Sequence, residues 1–89
     1  MKYIIFRKQM KSMQHETPVV FPNALVHLMV AEAMVAKGAP LEGYMPVRAG
    51  EYAPLTGECS GESTTLRMRS DPQLDAQLIT MGDYGVGYT

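Results

Sequence analysis

The sequence predicts an α+β domain, with a small and mostly antiparallel sheet of three or four strands and both helices on one face, in the order β-β-α-β-β-α. Two observations lead to this prediction. Strand-like runs are joined by short Gly- and Pro-rich links, which favour antiparallel neighbours. Two helix-forming segments follow capping signals. The chain of 89 residues is long enough for one domain, predicted over residues 1–82, with a flexible tail over residues 83–89.

Four segments are predicted to be strands. Residues 2–8 form an apolar run flanked by charges, which is typical of a central strand buried on both faces. Residues 17–21 form a short second strand, and Pro18 restricts it to the start of a strand or to a sheet edge. Residues 46–52 lie in a Gly- and Pro-rich region and supply the third. Residues 62–70 alternate in polarity and predict a half-solvated fourth strand.

The predicted helices have recognisable ends. The first covers residues 24–37, with Asn23 as its cap and with Gly38 able to take the left-handed conformation that ends a helix. The second starts after Asp71, which can cap it, and Pro72 suits its first position. The apolar stripe of the second helix is predicted to comprise Leu74, Leu78, Ile79 and Met81.

The first helix is apolar around nearly its whole circumference, because His27, Glu32 and Lys37 do not cluster into one polar face. One interpretation is that its alanines dilute an ordinary exposed side. The other is that an outer apolar side packs on a second copy of the chain or on another protein. The residues predicted to form that interface are Val26, Val30, Ala33 and Met34.

Composition limits the classes of function. Eight basic and nine acidic residues give a net charge of −1, so no bulk charge attracts the chain to nucleic acid or to an anionic membrane. The amino end lacks a signal-peptide core, and the longest apolar stretch is too short to cross a bilayer. Cys59 is the only cysteine, which excludes an internal disulfide and favours the cytoplasm.

No motif predicts catalysis, a cofactor or a metal. His27 and Glu32 are five residues apart on a helix and therefore point in different directions, whereas a helical metal pair needs a spacing of three or four. His27 is expected to lie at the helix edge or to bond a backbone carbonyl. Cys59 has no base in a recognisable motif, so a buried or incidental thiol is favoured over a nucleophile.

Arginines form the strongest polar constellation in the sequence. Arg67 and Arg69 are predicted on one face of the last strand, and Arg48 on a neighbouring strand could join them. Such a surface, with Tyr44 or Tyr52 beside it, could hold phosphate or stack on bases. The simpler interpretation is a solvated sheet face, whose charge is balanced by nearby glutamates.

Several spaced residues resemble a group of short, uncharacterised proteins encoded by bacteriophages and prophages. The matching positions are Phe21-Pro22, His27, Val30-Ala31, Ala49-Gly50, Cys59-x-Gly61-x-Ser63, Leu66, Ser70 and Asp75-x-x-Leu78. Glu51 departs from the pattern, since it separates Ala49-Gly50 from the aromatic Tyr52. The resemblance implies a phage accessory protein and carries no known activity.

These observations predict a non-enzymatic protein of the bacterial cytoplasm that acts by protein–protein contact. Its expected partner is a second copy, packed through residues 24–37, or an unidentified host or phage protein. The alternative is a nucleic-acid-binding module that uses Arg48, Arg67 and Arg69. No cofactor, metal or membrane is expected.

Overall fold

A computed structural model describes residues 1–81 of the chain. The tail predicted for residues 83–89, and position 82 before it, lie outside the described residues. The elements in chain order are β1 (Lys2–Met10), β2 (Met13–Phe21), α1 (His27–Val35), β3 (Met45–Ala53), β4 (Glu58–Ser60), β5 (Glu62–Ser63), β6 (Met68–Arg69) and α2 (Pro72–Thr80). The predicted α+β class is confirmed.

The main sheet has four strands in the order β2-β1-β3-β4, and every neighbouring pair is antiparallel. The predicted strand number and direction are therefore correct. As expected from its unbroken apolar run, β1 is a central strand, and its residues Tyr3 to Phe6 are fully buried. Pro18 lies in β2, which is an edge strand of this sheet.

The two helices pack on opposite faces of the sheet, so their predicted placement on one face is wrong. Alternate residues of β1 point to opposite faces, and both sets are apolar, so each face needs a cover. Helix α1 covers a first core, formed by Ile4, Phe6, Val19, Phe21, Ala31, Leu41 and Ala49. Helix α2 covers a second core, formed by Tyr3, Ile5, Val20, Cys59 and Ile79.

The hairpin of β1 and β2 is longer than its apolar segments predict. The first two strands were predicted over residues 2–8 and 17–21, but they extend to Met10 and Met13. Only two residues form the turn, and Lys11 there has a φ of +30°. A two-residue turn fixes the register of a hairpin, and the polar residues beyond the core continue the pairing because they need no burial to do so.

The segment after β3 departs most from the prediction. The fourth strand of the sheet is β4, whereas residues 62–70 form a separate hairpin, β5–β6, with a turn over residues 64–67. The turn is fixed by the buried hydroxyl of Ser63, which accepts a hydrogen bond from the Leu66 backbone N–H at 3.1 Å, and Arg67 adopts a φ of +56°. Serine hydroxyls stabilise turns in this way, and alternation in polarity alone cannot show it.

Helix α1 begins three residues later than predicted. Its N-terminal cap is Val26, which offers no side-chain acceptor, so Asn23 is not the cap. Instead, the Leu28 N–H donates to the Thr65 hydroxyl at 3.3 Å, which satisfies one of the free amides at the start of the helix from a distant loop. The helix ends at Val35, two residues earlier than predicted, because its C-cap Ala36 is already extended; Gly38 has a φ of +82° but lies in the turn that follows and is not the residue that ends the helix.

Helix α2 follows its predicted cap, and only part of its predicted apolar stripe is buried. The Asp71 carboxylate accepts from the Leu74 N–H at 3.3 Å, with Pro72 next to it in the first turn. The fully buried positions, however, are Asp75 and Ile79, whereas Leu74 is exposed. Met81, just beyond the helix, is exposed too. Of the predicted stripe, Ile79 is buried and Leu78 packs against the second core, so the prediction was correct for these two residues and wrong for Leu74 and Met81.

Thr17 has the one buried side-chain N or O atom in residues 1–81 that lacks a hydrogen-bond partner. Thr17→Val keeps the shape of the side chain and removes the hydroxyl, so we expect the free energy of unfolding to rise by about 1 kcal/mol. Thr56→Val is the control, because the Thr56 hydroxyl accepts from the Glu58 N–H at 3.3 Å and its loss should not stabilise. Urea denaturation measures both, and a less stable Thr17→Val protein would contradict the expectation.

Candidate functional site

Helix α1 is amphipathic, with one side packed on the core, although its sequence predicted apolar residues around nearly the whole circumference. Its inner side is formed by positions i, i+3, i+4, i+7 and i+8, which are His27, Val30, Ala31, Met34 and Val35. Val30 and Met34 were predicted on the outer side, but both pack against the first core. The error arose because His27 was counted as a polar position, although it is only 5% exposed. Of the predicted interface residues, Val26 and Ala33 are exposed.

The exposed apolar residues of this region lie at the start of α1. We call the group formed by Leu25, Val26, Leu28 and Met29 the α1 outer surface. Each of the four is between 38% and 63% exposed. Farther along the same side the helix presents Ala33 and Ala36, with Glu32 between the two parts. The outer side of α1 therefore has a bulky half and a small half.

His27 connects α1 to the sheet. Its Nε2 lies 3.0 Å from the carbonyl oxygen of Gly50, and its ring stands edge-on to Phe21 with 5.4 Å between centroids. Of the two roles expected for this histidine, the bond to a backbone carbonyl is therefore the observed one. Glu32 is exposed while His27 is buried, so the two side chains do not meet.

The three arginines do not form one surface. Arg48 lies on the side of α2, where a β-bulge near Val47 interrupts the pairing of β3 with β1. Arg67 and Arg69 lie in the separate β5–β6 hairpin, whose Leu66 packs on the opposite core. Nucleic-acid binding stays a prediction from the sequence, without the shared surface on which it depended.

Arg48 instead belongs to a polar cluster between the sheet and α2. Asp75 is fully buried, and its Oδ1 accepts from Arg48 Nε at 2.6 Å. Its Oδ2 accepts from the Tyr3 hydroxyl at 2.6 Å and from the Asp71 N–H at 2.8 Å. The remaining Arg48 nitrogens bind Glu16, at 2.6 Å for the shorter contact. Every oxygen of the Asp75 carboxylate is thus satisfied, as a buried charge requires.

The cluster moves the pKa values of Tyr3 and Glu16 away from neutral pH. Burial, and then the hydrogen bond to Asp75, raise the pKa of Tyr3 well above its ordinary value. The hydrogen bond from Arg48 lowers the pKa of Glu16, and Arg7 adds a second ion pair at 2.7 Å. The Glu16 carboxyl and the Tyr3 phenol therefore each keep one protonation state near neutral pH, and a group whose pKa lies far from the working pH is a weak catalyst of proton transfer.

Sequence reasoning missed Asp75 and Glu16 as the two carboxylate partners of Arg48. The signal that could have found Asp75 is its spacing of four from Ile79, which puts both on the same side of α2. Glu16 had no such signal, because its partner Arg48 is 32 residues away in the sequence. Long-range pairing of this kind depends on strand register.

Cys59 is a buried thiol of low reactivity. Burial, followed by the nearby negative charge of Asp75, raises its pKa to about 11. Because the thiolate is the nucleophile, a thiol that stays protonated near neutral pH is poorly suited to covalent catalysis. The side chain packs in the second core, next to a shallow groove between β4 and α2.

Within residues 1–81, no three His, Cys, Asp or Glu side chains come together as metal ligands would. In the same part of the chain, no helix has both the length and the apolar character needed to span a membrane.

Two features therefore remain as candidates, and they differ in kind. The polar cluster of Asp75, Arg48 and Glu16 is internally saturated and holds α2 on the sheet. The α1 outer surface is apolar and exposed. Comparisons with protein-family models, with curated proteins and with solved structures find no match for this chain.

Proposed function

We propose that this protein is a small non-enzymatic interaction module that pairs with a second copy of itself through the α1 outer surface. The observation that carries the proposal is the exposure of Leu25, Val26, Leu28 and Met29 at the start of one helix. Grouped apolar side chains on a soluble domain mark contact surfaces more often than scattered ones do. A partner would also add buried area to a chain whose own core is small.

The distribution of side-chain size along α1 supports a second copy as the partner. A two-fold interface brings residue i of one chain against residue j of the other, and j against i. If two α1 helices cross antiparallel, the bulky Leu28 and Met29 of each face the small Ala33 and Ala36 of the other. In size the surface is therefore complementary to itself, although the same crossing brings the two Glu32 carboxylates close together at the two-fold axis.

The test is the oligomeric state of the full chain. We expect the wild type to dimerise with rising concentration in sedimentation experiments, and Met29→Glu to weaken the dimer at least about tenfold, because it would bury an unpaired charge. Leu55→Glu is a matched control, since Leu55 is an apolar residue 99% exposed in the β3–β4 turn. It should leave the dimer unchanged.

Two outcomes would overturn the proposed self-association. A wild type that stays monomeric up to its solubility limit excludes pairing. Equal weakening by Met29→Glu and Leu55→Glu excludes the α1 outer surface as its site.

On the resemblance described above, we further propose that the protein is a phage or prophage accessory protein of the bacterial cytoplasm. A host or phage protein would then compete for the same surface, and the resemblance is the support for this setting. A partner recovered from bacterial lysate by the wild type and not by Met29→Glu tests it, with Leu55→Glu again as the control.

A further inference from the structure

A second cluster of polar groups lies far along the first hairpin, on the face covered by α1. Lys8 and His15 are directly opposite each other across β1 and β2. His15 Nδ1 is 2.8 Å from the Tyr44 hydroxyl, and Lys8 Nζ lies 5.7 Å from the centroid of the Tyr44 ring. Three groups that bind anions are thus brought together by two strands and the loop before β3.

Packing contacts fix the positions of Tyr44 and Lys8. Tyr44 packs against the first core, and its ring stands edge-on to His15 with 5.9 Å between centroids. Gly43 has a φ of +89°, and a Cβ atom there would lie 3.6 Å from Lys8 Cε and 3.7 Å from Nζ. The lysine stem therefore runs beside the Gly43 backbone and above the Tyr44 ring, which limits its motion.

Charge distinguishes this pair from the neighbouring one in the same ladder. On the α2 side, Arg7 is opposite Glu16, and the two form an ion pair at 2.7 Å. On the α1 side, Lys8 is opposite His15, and in residues 1–81 Lys8 makes no ion pair. Lys8 therefore carries a positive charge on this face without a carboxylate partner in the described part of the chain, and an anion is the group that would pair with it.

We propose that Lys8, His15 and Tyr44 form a binding site for a phosphate group, either free inorganic phosphate or the terminal phosphate of a small phosphomonoester. Lys8 supplies a point charge with three donors, and His15 Nε2 makes no hydrogen bond in residues 1–81. The site is on the α1 side of the sheet but uses none of the α1 outer surface, so it does not depend on self-association.

The experiment is an NMR titration of the full-length protein with sodium phosphate at ionic strength held constant with sodium chloride. We expect saturable shifts centred on Lys8, His15 and Tyr44. Lys8→Gln should weaken binding about tenfold, because it removes a charge-assisted hydrogen bond. Lys11→Gln is the control, since Lys11 lies in the turn of the same hairpin and is equally cationic; it should change binding less than about twofold.

A parallel titration with a small phosphomonoester, glycerol 3-phosphate, distinguishes the two sources. Tighter binding than inorganic phosphate assigns the site to a phosphorylated metabolite, and equal or weaker binding assigns it to the free ion. Shifts that stay linear with phosphate concentration, or equal losses in Lys8→Gln and Lys11→Gln, would overturn the proposal. Both lysines are exposed, so both variants should fold.

Discussion

Asp75→Asn should lower the free energy of unfolding by about 3–5 kcal/mol, which approaches the whole stability of a domain this small. The carboxylate is fully buried, and each of its oxygens accepts from a donor. An amide of the same shape must place its NH₂ group either against Arg48 Nε–H or against the Asp71 N–H. Neither donor can become an acceptor, so no orientation of asparagine fits.

Urea denaturation followed by circular dichroism measures this loss. The control is Asp71→Asn, because asparagine caps a helix as well as aspartate does and should change stability by less than about 0.5 kcal/mol. An Asp75→Asn protein within about 1 kcal/mol of the wild type would show that the cluster does not hold α2 on the sheet.

Gly50→Ala should lower the free energy of unfolding by about 3 kcal/mol, which is the second largest effect we expect after that of Asp75→Asn. A Cβ at this position would lie 2.4 Å from the Ser60 backbone oxygen and 3.3 Å from a ring carbon of Tyr3. The Ser60 oxygen belongs to β4 and cannot move away without disturbing its pairing with β3. The Gly50 carbonyl also forms the hydrogen bond with His27 Nε2. A shift of this strand should therefore weaken the attachment of α1 to the sheet.

Thermal and urea unfolding test this prediction, and hydrogen exchange at α1 amides tests its second part. Gly57→Asn is the control: Gly57 has a φ of +77° and open space around it, and asparagine tolerates that conformation, so the loss should stay below about 1 kcal/mol. If Gly50→Ala lowered the free energy of unfolding no more than Gly57→Asn, the prediction that β3 lies too close to β4 for a side chain at position 50 would be contradicted.

The sequence correctly predicted those elements that depend on interactions between residues close together in the chain. The apolar run of β1 and the cap at Asp71 each depend on a few adjacent residues, and each was found where it was predicted. The β5–β6 hairpin was missed because its turn depends on the Ser63 hydroxyl, which alternation in polarity does not record.

The position of a polar side chain could be predicted only where its hydrogen-bond or ion-pair partner is close to it in the sequence. His27 was expected to lie at the helix edge or to bond a backbone carbonyl, but the sequence did not identify that carbonyl, which belongs to Gly50, 23 residues later. Arg48 was assigned to an open surface because it is charged, although Asp75 and Glu16 neutralise it. In both cases the partner is supplied by strand register, which a single sequence does not specify.

Pro18 in the edge strand β2 limits how two copies of this chain can meet. The two-residue turn makes Met10 and Met13 a hydrogen-bonded pair, and alternation along the ladder then directs the nitrogen of Pro18 away from β1. That nitrogen carries no hydrogen, so a strand aligned along this edge would leave one of its own carbonyls unpaired. Growth of the sheet from one molecule into the next is thereby discouraged at β2, whereas packing of one helix on another requires no backbone pairing at all.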